Sequence, residues 1–334
     1  MSTRTLRWLA SFGHRAAHAA DGAPTLTIVR HHRVLEEHER PLYRLGVPVG
    51  VLREQLRMLA DRGWGPVTVA AGLEHLAGGR GHRVALTFDD GYRDNVTHAL
   101  PLLAEVGGHA TFYLTAGLIE ERRAPWWDEL SHLLTHTRAA RIGADGNGTP
   151  ALELADEGGR RRALDALLPG FRVPPPARTV MLDRLREQLG VADAAPCALA
   201  TWDESRRLIE AGMEVGAHTL THPHLTTLDP EDQAREIAGS VELIATRLGV
   251  RPRGLAYPGG DHDAHTIAAS RTAGLDYAVT TRAGLNRSDT PRHALLRRGF
   301  SEGTCIGPLG FSRRLALAEL DGAFDGLRER RRAS

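Results

Sequence analysis

The chain has 334 residues, a formal net charge of +1 at pH 7, 42% hydrophobic residues and 25% charged residues. This composition is typical of a soluble globular protein, and the near-zero charge gives no basis for a nucleic-acid partner. All 42 basic residues are arginine. The absence of lysine excludes a lysine Schiff base and a P-loop lysine.

Residues 1–24 are predicted to form an N-terminal tail or a short amphipathic helix. Charged and imidazole side chains, including Arg7 and His14, interrupt the apolar residues of this segment. A secretory signal needs an unbroken apolar core of at least about seven residues, and no run is long enough for a transmembrane segment. We therefore expect a cytoplasmic protein, with a location outside the cytoplasm as the alternative; its oligomeric state is left open.

The hydrophobic pattern of residues 25–300 predicts strands that alternate with helices. In chain order the predicted elements are a strand at 26–29, a helix at 49–62, a strand at 67–69, a helix at 70–77, a strand at 84–88, a helix at 95–106 interrupted by Pro101, and a strand at 110–114. Glycine-rich and charged stretches then break the alternation, which indicates a mainly helical insertion at about 120–200.

The alternation resumes after the insertion. The predicted elements are a helix at 202–211, a strand at 213–217, a helix at 231–248, a strand at 254–257, a helix at 262–273, and strands at 276–280 and 294–298. About seven strand–helix units favour an α/β barrel over an open sheet. Residues 301–334 are predicted to form a C-terminal helix, from Leu315 to Arg332.

The first chemical motif runs from Thr87 to Tyr92 and contains the adjacent carboxylates Asp89 and Asp90. The carboxylates follow a predicted buried strand, and in parallel barrels the active site lies at this end of the strands. Gly91 permits a sharp turn that brings both carboxylates to one pocket. The alternative is structural, because Asp90 is also a suitable N-cap for a following helix.

The second motif places His218 and His222 four residues apart, directly after a predicted strand. Pro223 disfavours a helix and favours extended backbone at His222, so we expect a loop or a single turn. This spacing alone is weak evidence for a metal site, because the chain contains 17 histidines.

Together the two motifs are more informative. One carboxylate and two imidazoles occupy three positions on a divalent ion and leave others for water and substrate, which is typical of a catalytic metal site. The second aspartate is then available as a general base. These ligand types suit Zn²⁺, with Co²⁺, Ni²⁺ or Mn²⁺ as alternatives.

Thr-Phe-Asp-Asp-Gly-Tyr and His-Thr-x-x-His-Pro resemble the first two motifs of the polysaccharide deacetylases, carbohydrate esterase family four. The resemblance implies a distorted seven-stranded (β/α) barrel and a metal-dependent deacetylase that acts on an acetylated sugar or polysaccharide. It assigns Asp89 as the general base and Asp90, His218 and His222 as the metal ligands.

Two further family motifs differ in this chain. Ala256 stands where the third motif usually has arginine, so the segment resembles the Ala-Tyr-Pro-x-Gly exopolysaccharide-type branch, in which the Gly259 N–H would hold the oxyanion. The alternative is a plain turn at a strand end. The segment Ala294-Leu295-Leu296-Arg297-Arg298 has arginine where a Leu-x-His motif would have the histidine that supplies the acid. The resemblance then assigns the acid to His32, with His293 in reserve.

Aromatic residues near these motifs are candidates for binding sugar. Trp126 and Trp127 are predicted to stack on sugar faces, with anchoring of the insertion as the alternative. The motif residues Tyr92, Tyr257 and Pro258 are also predicted to contact substrate. Asp261 is predicted to cap a helix, in preference to a second metal site.

Three other functions remain open from the sequence. Two histidines and one carboxylate also form the facial triad of iron oxygenases. The altered third motif and the missing Leu-x-His are compatible with a non-catalytic sugar-binding relative. The same machinery would also hydrolyse another amide, such as a formamide on a glycolipid or a ring amide.

Overall fold

Seven parallel strands form the centre of the computed structural model, which describes residues 3–13, 22–143 and 151–325. The strands are β1 (Thr25–His31), β2 (His82–Phe88), β3 (Ala110–Leu114), β4 (Glu214–Ala217), β5 (Gly254–Ala256), β6 (Tyr277–Val279) and β7 (Arg297–Gly299). Their spatial order is β6-β5-β4-β3-β2-β1-β7. Val279 also bridges to Leu295, just before β7, so the sheet is a nearly closed barrel. This confirms the predicted distorted (β/α) barrel.

Helices surround the barrel and fill the connections. They are α1 (Thr3–Ala10), α2 (Val49–Asp61), α3 (Val69–Gly78), α4 (Leu100–Glu105), α5 (Ala116–Glu120), α6 (Trp126–His136), α7 (Glu157–Leu167), α8 (Pro175–Leu189), α9 (Trp202–Glu210), α10 (Pro230–Leu248), α11 (Ala264–Thr272), α12 (Glu302–Cys305) and α13 (Arg313–Leu320). Three short strand pairs join Arg33–Leu35 to Gly46–Pro48, Arg141–Ile142 to Leu152–Glu153, and Ile306–Gly307 to Gly310–Phe311. None of the described helices combines the length and apolar character needed to cross a membrane.

The strands bury both of their faces, because successive side chains point to opposite sides of a strand. Ile28, Ala85 and Tyr113 belong to one buried cluster, which we assign to the barrel interior. Val29 and Leu86 belong to another cluster that includes the apolar faces of the outer helices. This double burial explains why the strand sequences are continuous apolar runs.

The predicted insertion at about 120–200 consists of α6, α7, α8 and one of the short strand pairs. It has a hydrophobic core of its own, separate from that of the barrel. The fully buried members of this core are Leu130, Leu133, Leu134, Leu154 and Leu164. The insertion is therefore a packed unit attached to the barrel, and it lies beside the carboxyl ends of the strands.

Several boundaries differ from the predictions. Val69 begins α3 instead of ending a strand, because the Thr68 side chain accepts a hydrogen bond from Ala71 N and caps the helix. The helix predicted at 95–106 begins as a π-helical turn at Asn95–Ala99, and Pro101, which lacks an N–H, lies in the first turn of α4.

The terminal predictions are tested only in part. The described part of the N-terminal segment forms α1 and a 3₁₀ turn, and residues 14–21 lie outside the described residues. The helix predicted from Leu315 to Arg332 corresponds to α13, which ends at Leu320; residues 326–334 lie outside the described residues.

Candidate metal centre and active site

The two motifs meet at the carboxyl ends of β2 and β4, which flank β3 in the barrel. Asp89 and Asp90 follow β2, His218 and His222 follow β4, and His32 follows β1. All five residues line one cavity with a volume of about 480 Å³. The barrel topology therefore brings together side chains that are more than a hundred residues apart in sequence.

Asp90, His218 and His222 form a compact cluster. The Asp90 Oδ1 atom lies 3.4 Å from His218 Nε2 and 3.6 Å from His222 Nε2. One ligand atom from each residue lies within 4.8 Å of the others, and among the described residues this is the only such group of three or more. Ligands at about 2.0–2.2 Å from a tetrahedral ion are separated by about 3.4 Å, so the spacing fits a bound divalent ion.

The hydrogen bonds around the cluster also fit a metal ion. Asp90 Oδ2 is buried and has no hydrogen-bond partner. His218 Nδ1 lies 2.6 Å from the Ala256 carbonyl oxygen, which accepts a hydrogen bond from it. This bond fixes the proton on Nδ1 and leaves Nε2 with a free lone pair. Burial, followed by the proximity of His218, lowers the pKa of His222 well below its ordinary value. A neutral imidazole is the form that binds a metal.

The backbone that carries these ligands has unusual conformations. Asp90, Thr219 and His222 have φ angles of 77°, 66° and 55°. Non-glycine residues rarely adopt this region, and strain of this kind clusters at functional sites. His222 lies in a loop, as predicted. The extended backbone predicted for the residue before Pro223 is wrong, since His222 has a left-handed backbone conformation.

A carboxylate outside the predicted site holds this loop in place. Glu236, on α10, accepts hydrogen bonds from Leu220 N at 2.8 Å and from Thr221 N at 2.9 Å. Its second oxygen accepts from the Thr221 hydroxyl at 2.6 Å. In addition, the Thr219 hydroxyl accepts a bond from His222 N. These contacts stabilise the strained turn between the two histidines.

Asp89 is held by Arg297 at the end of the barrel interior. Arg297 donates two hydrogen bonds, from Nη1 to Asp89 Oδ1 at 2.6 Å and from Nη2 to Oδ2 at 2.8 Å. Burial alone would raise the pKa of Asp89, but the charge of Arg297, followed by that of His218, holds it well below its usual range. Asp89 is therefore ionised and oriented. Arg297 stands at the position where the family resemblance expects a histidine.

The two acid candidates occupy different places. His32 Nε2 lies 4.0 Å from Asp89 Oδ2, and the side chain is 21% exposed to the cavity. Burial lowers its pKa, and the charges of Asp90 and Asp89 oppose that effect. His293 packs behind the site, where its Nδ1 lies 2.8 Å from the Ser270 hydroxyl, and it does not line the cavity.

The two tryptophans of α6 form part of the cavity wall. Trp126 and Trp127 both line the cavity, and the Trp127 ring packs edge-on against His222 with centroids 4.3 Å apart. Trp127 Nε1 donates to the Tyr92 hydroxyl at 2.8 Å, which in turn donates to Asp128 Oδ2 at 3.0 Å. Tyr92 is fully buried and lies behind this wall, so it supports Trp127 and does not itself line the cavity.

The third motif closes the opposite wall. Gly259 lines the cavity with φ at 65°, and a Cβ atom there would lie 2.8 Å from His224 Cε1. Tyr257 also lines the cavity, although its hydroxyl points away and donates to the His293 carbonyl. Pro258 is buried behind this wall. A glycine is thus required where the backbone approaches the site.

Asp261 does not cap the following helix. Asp263 is the N-cap of α11, where its side chain accepts from Thr266 N. Asp261 Oδ2 instead lies 3.0 Å from His224 Nδ1 and pairs with Arg172 of the insertion. This contact links the insertion to the rim of the cavity.

The helix-cap alternative for Asp90 is not supported. The helical segment after the motif begins at Arg93, and Asp90 Oδ2 accepts no hydrogen bond. Asp90 Oδ1 faces the two histidines instead. A buried carboxylate aimed at two imidazoles is better explained as a ligand than as a cap.

The comparison with protein families agrees with this arrangement. The family model described as polysaccharide deacetylase matches residues 77–150 and 176–278, which is more than half of the chain. The chain belongs to the polysaccharide deacetylase family. The interval between the matched segments, 151–175, lies within the helical insertion.

Individual relatives of this family are distant in sequence. YxkH of Bacillus subtilis (strain 168) is 28% identical over 103 residues, which are 31% of this chain and 37% of YxkH. The Streptococcus pyogenes deacetylase PplD, solved in complex with acetate, is 19% identical with a TM-score of 0.56, and the match covers 83% of this chain and 94% of PplD. IcaB from Ammonifex degensii is 21% identical with a TM-score of 0.54, and the match covers 89% of this chain and 97% of IcaB. At these identities the solved structures show the shared fold.

Within this family fold, sequence reasoning missed two residues that act on the site. The sequence marks the arginine at 297 only as a departure from the family motif, yet Arg297 donates two hydrogen bonds to Asp89. Glu236 lies on a long helix and bonds mainly to backbone N–H groups, so the sequence has no motif that identifies it. The Ala-Tyr-Pro-x-Gly branch and the individual residue roles stay predictions.

Proposed function

We propose that this polysaccharide deacetylase family member is a metal-dependent hydrolase that removes acetyl groups, chiefly N-acetyl groups, from a sugar or polysaccharide. The observation that carries the proposal is the convergence of Asp90, His218 and His222 beside an ionised Asp89 in one cavity. Metal-assisted hydrolysis needs an ion with an open coordination position and a separate base, and this cavity has candidate side chains for both.

Asp90, His218 and His222 would hold the ion, for which Zn²⁺ is the first candidate. When bound, the ion would polarise the acyl carbonyl group and lower the pKa of a bound water. Asp89 accepts the proton of the attacking water, and Arg297 keeps that carboxylate ionised and fixes its direction. The Gly259 N–H donates to the developing oxyanion from the opposite wall.

The leaving nitrogen must gain a proton before it departs as an amine. His32 Nε2 is assigned this role because it lines the cavity 4.0 Å from Asp89 Oδ2. Trp126 lines the cavity and would contact the sugar there, although its ring already stacks on Phe171 and packs against the Arg178 guanidinium. The products are acetate and a sugar with a free amino group.

The same geometry would serve a formamide on a glycolipid, and only a substrate screen separates these amides. A non-catalytic sugar-binding role is less well supported, because Asp89 and the ligand cluster are all present. The iron oxygenase alternative is disfavoured by the deacetylase family and its fold.

The test is acetate release from N-acetylglucosamine oligomers, with and without a chelator. Asp89→Asn is expected to lower kcat by at least about a hundredfold while one metal ion per chain stays bound. Full activity in this variant would disprove the base assignment. Wild-type release that is absent at every metal tested would disprove the acetyl hydrolase itself.

Two histidine variants test which side chain is the general acid. His32→Ala is expected to lower kcat by about a hundredfold, whereas His293→Ala, which removes an imidazole outside the cavity, is expected to stay near the wild-type rate. The reverse result would transfer the acid role to His293.

A further inference from the structure

We propose that the substrate is an acylated glycan with an acidic group on a neighbouring sugar, and that a second, basic cavity beside the active site binds this group. The inference rests on the proposed function, because it names the class of glycan that the same site would take. It is carried by the position of that second cavity and by the charge of the arginine side chains that line it.

The second cavity adjoins the first and has a volume of about 530 Å³. Arg30, His32, Leu45 and Thr281 line both cavities. The two cavities therefore share part of their lining. A glycan with its acyl group at Asp90 would extend a neighbouring sugar into the second cavity.

Arginine dominates the lining of this cavity. Arg30, Arg44 and Arg282 all line it, and the last two are exposed. The charge of Arg30 contributes to lowering the pKa of both His31 and His32, so it acts on the boundary between the two cavities. Guanidinium groups bind carboxylate and phosphate oxygens in a planar, two-point geometry.

Acidic side chains among the described residues do little to neutralise the charge of Arg44 and Arg282. Asp325 is the single carboxylate among the described residues that line the second cavity, and it pairs with Arg298. Arg297 also lines the cavity, but its guanidinium is committed to Asp89. Arg44 and Arg282 form no ion pair among the described residues. The cavity is therefore a positive surface that suits an anion.

His31 is the other histidine that borders the second cavity besides His32. His31 lines the second cavity, is only 3% exposed, and neither of its ring nitrogens has a hydrogen-bond partner. Burial, reinforced by the neighbouring His32 and Arg30, lowers its pKa to about 3, so the imidazole is neutral and has one N–H to donate. The ring stacks on Phe88 and packs against Phe300, so its nitrogens are enclosed and His31 adds no charge to the cavity.

The test is equilibrium binding of three labelled tetrasaccharides to the metal-loaded protein at low salt. The first is a neutral N-acetylglucosamine tetramer, the second alternates N-acetylglucosamine with glucuronic acid, and the third is the neutral tetramer with a terminal phosphate. We expect at least one acidic ligand to bind about tenfold more tightly than the neutral one, and the preference to shrink at high salt. The tighter acidic ligand identifies carboxylate or phosphate as the natural group.

The double variant Arg44→Gln/Arg282→Gln is expected to bring the ratio of acidic to neutral affinity close to one. Arg83→Gln is the matched control, because Arg83 is an exposed arginine near the start of β2, at the opposite end of the barrel. Equal affinities for all three ligands in the wild type, or an unchanged ratio in the double variant, would overturn the proposal. Binding that keeps the expected preference without any acetate release would instead overturn the proposed hydrolase and leave the anion site in place.

Discussion

Arg297 donates two hydrogen bonds to the Asp89 carboxylate inside the barrel, and both side chains are almost fully buried. Arg297 begins β7, the strand that completes the barrel next to β1. The positive charge that keeps Asp89 ionised therefore comes from Arg297 on the last strand of the barrel. It does not come from the motif that contains Asp89.

Replacement of Arg297 by Gln is expected to shift the acidic limb of the pH–rate profile toward higher pH. Asp89 has a lowered pKa in the folded protein, so its ion pair stabilises the fold above the unfolded pKa, and this contribution is lost as the pH falls through the folded pKa. Without Arg297, burial raises the pKa of Asp89 and the base is protonated at a higher pH.

Breaking this buried pair is also expected to cost about 3–5 kcal/mol in the free energy of unfolding. Arg298→Gln is the control, since it breaks the neighbouring ion pair with Asp325 without touching Asp89. Urea unfolding and initial rates across the pH range would measure both effects. An acidic limb that stays in place in the Arg297 variant, or moves equally in both variants, would contradict the role of Arg297.

Metal binding is expected to depend on His222 and not on His224. In the wild type, added Zn²⁺ should raise Tm, because an ion that binds only the folded state stabilises it. His222→Ala removes a ligand and should abolish most of that rise. His224→Ala should retain it, because His224 Nδ1 contacts Asp261.

Thermal unfolding with and without Zn²⁺, together with metal content after dialysis, would measure this difference. A loss of metal in the His224 variant comparable to that in the His222 variant would mean that the ligand set extends beyond the cluster of three.

Much of this site was predictable from the sequence, for a specific reason. Asp89, Asp90, His218 and His222 each follow an apolar run that reads as a buried strand, and the carboxyl ends of parallel strands converge. Local patterns therefore located all four side chains. The cap predicted at Asp261 is wrong because the helix predicted at 262–273 begins at Ala264, which makes Asp263 the N-cap.

Other features could not be predicted because they depend on tertiary contacts. Arg297 reaches Asp89 across 208 residues of sequence, and only closure of the barrel brings the two together. The left-handed backbone at His222 conflicts with the preference of a residue before proline, and it is maintained by the contacts of its loop. Local propensity therefore predicted the wrong backbone region at a functional residue.

Glu236→Gln is expected to weaken metal binding by about tenfold without removing a ligand, because supporting contacts of this kind tune metal affinity. The carboxylate holds Leu220 N and Thr221 N in the strained turn between the two histidines. An amide oxygen accepts these bonds less strongly, and its NH₂ group cannot accept from the Thr221 hydroxyl.

Competition with a fluorescent chelator would measure the affinity. Glu242→Gln, on the same helix but paired with Arg251 at the surface, is the matched control. Equal metal affinities in the two variants would show that the turn between the two histidines does not depend on Glu236.

Asp128 is expected to make the stability of the fold fall as the pH rises from about 4 to about 6. Burial raises the pKa of Asp128 to about 6 from an ordinary value of 3.8, with Arg33 opposing the shift. A raised folded pKa means that the folded state binds the proton more tightly, so stabilisation is full below the unfolded pKa and is lost as the pH passes the folded pKa.

Asp128→Asn should remove this dependence, which amounts to at most about 3 kcal/mol, because the amide oxygen still accepts from the Tyr92 hydroxyl without a charge. Urea unfolding at several pH values would compare it with Asp203→Asn, an exposed aspartate of α9. Since Tyr92 also bonds Trp127, which packs against His222, the ionised Asp128 lies two hydrogen bonds from the wall that supports a metal ligand. If the free energy of unfolding depends on pH in the Asp128 variant as it does in the wild type, the dependence comes from another carboxylate.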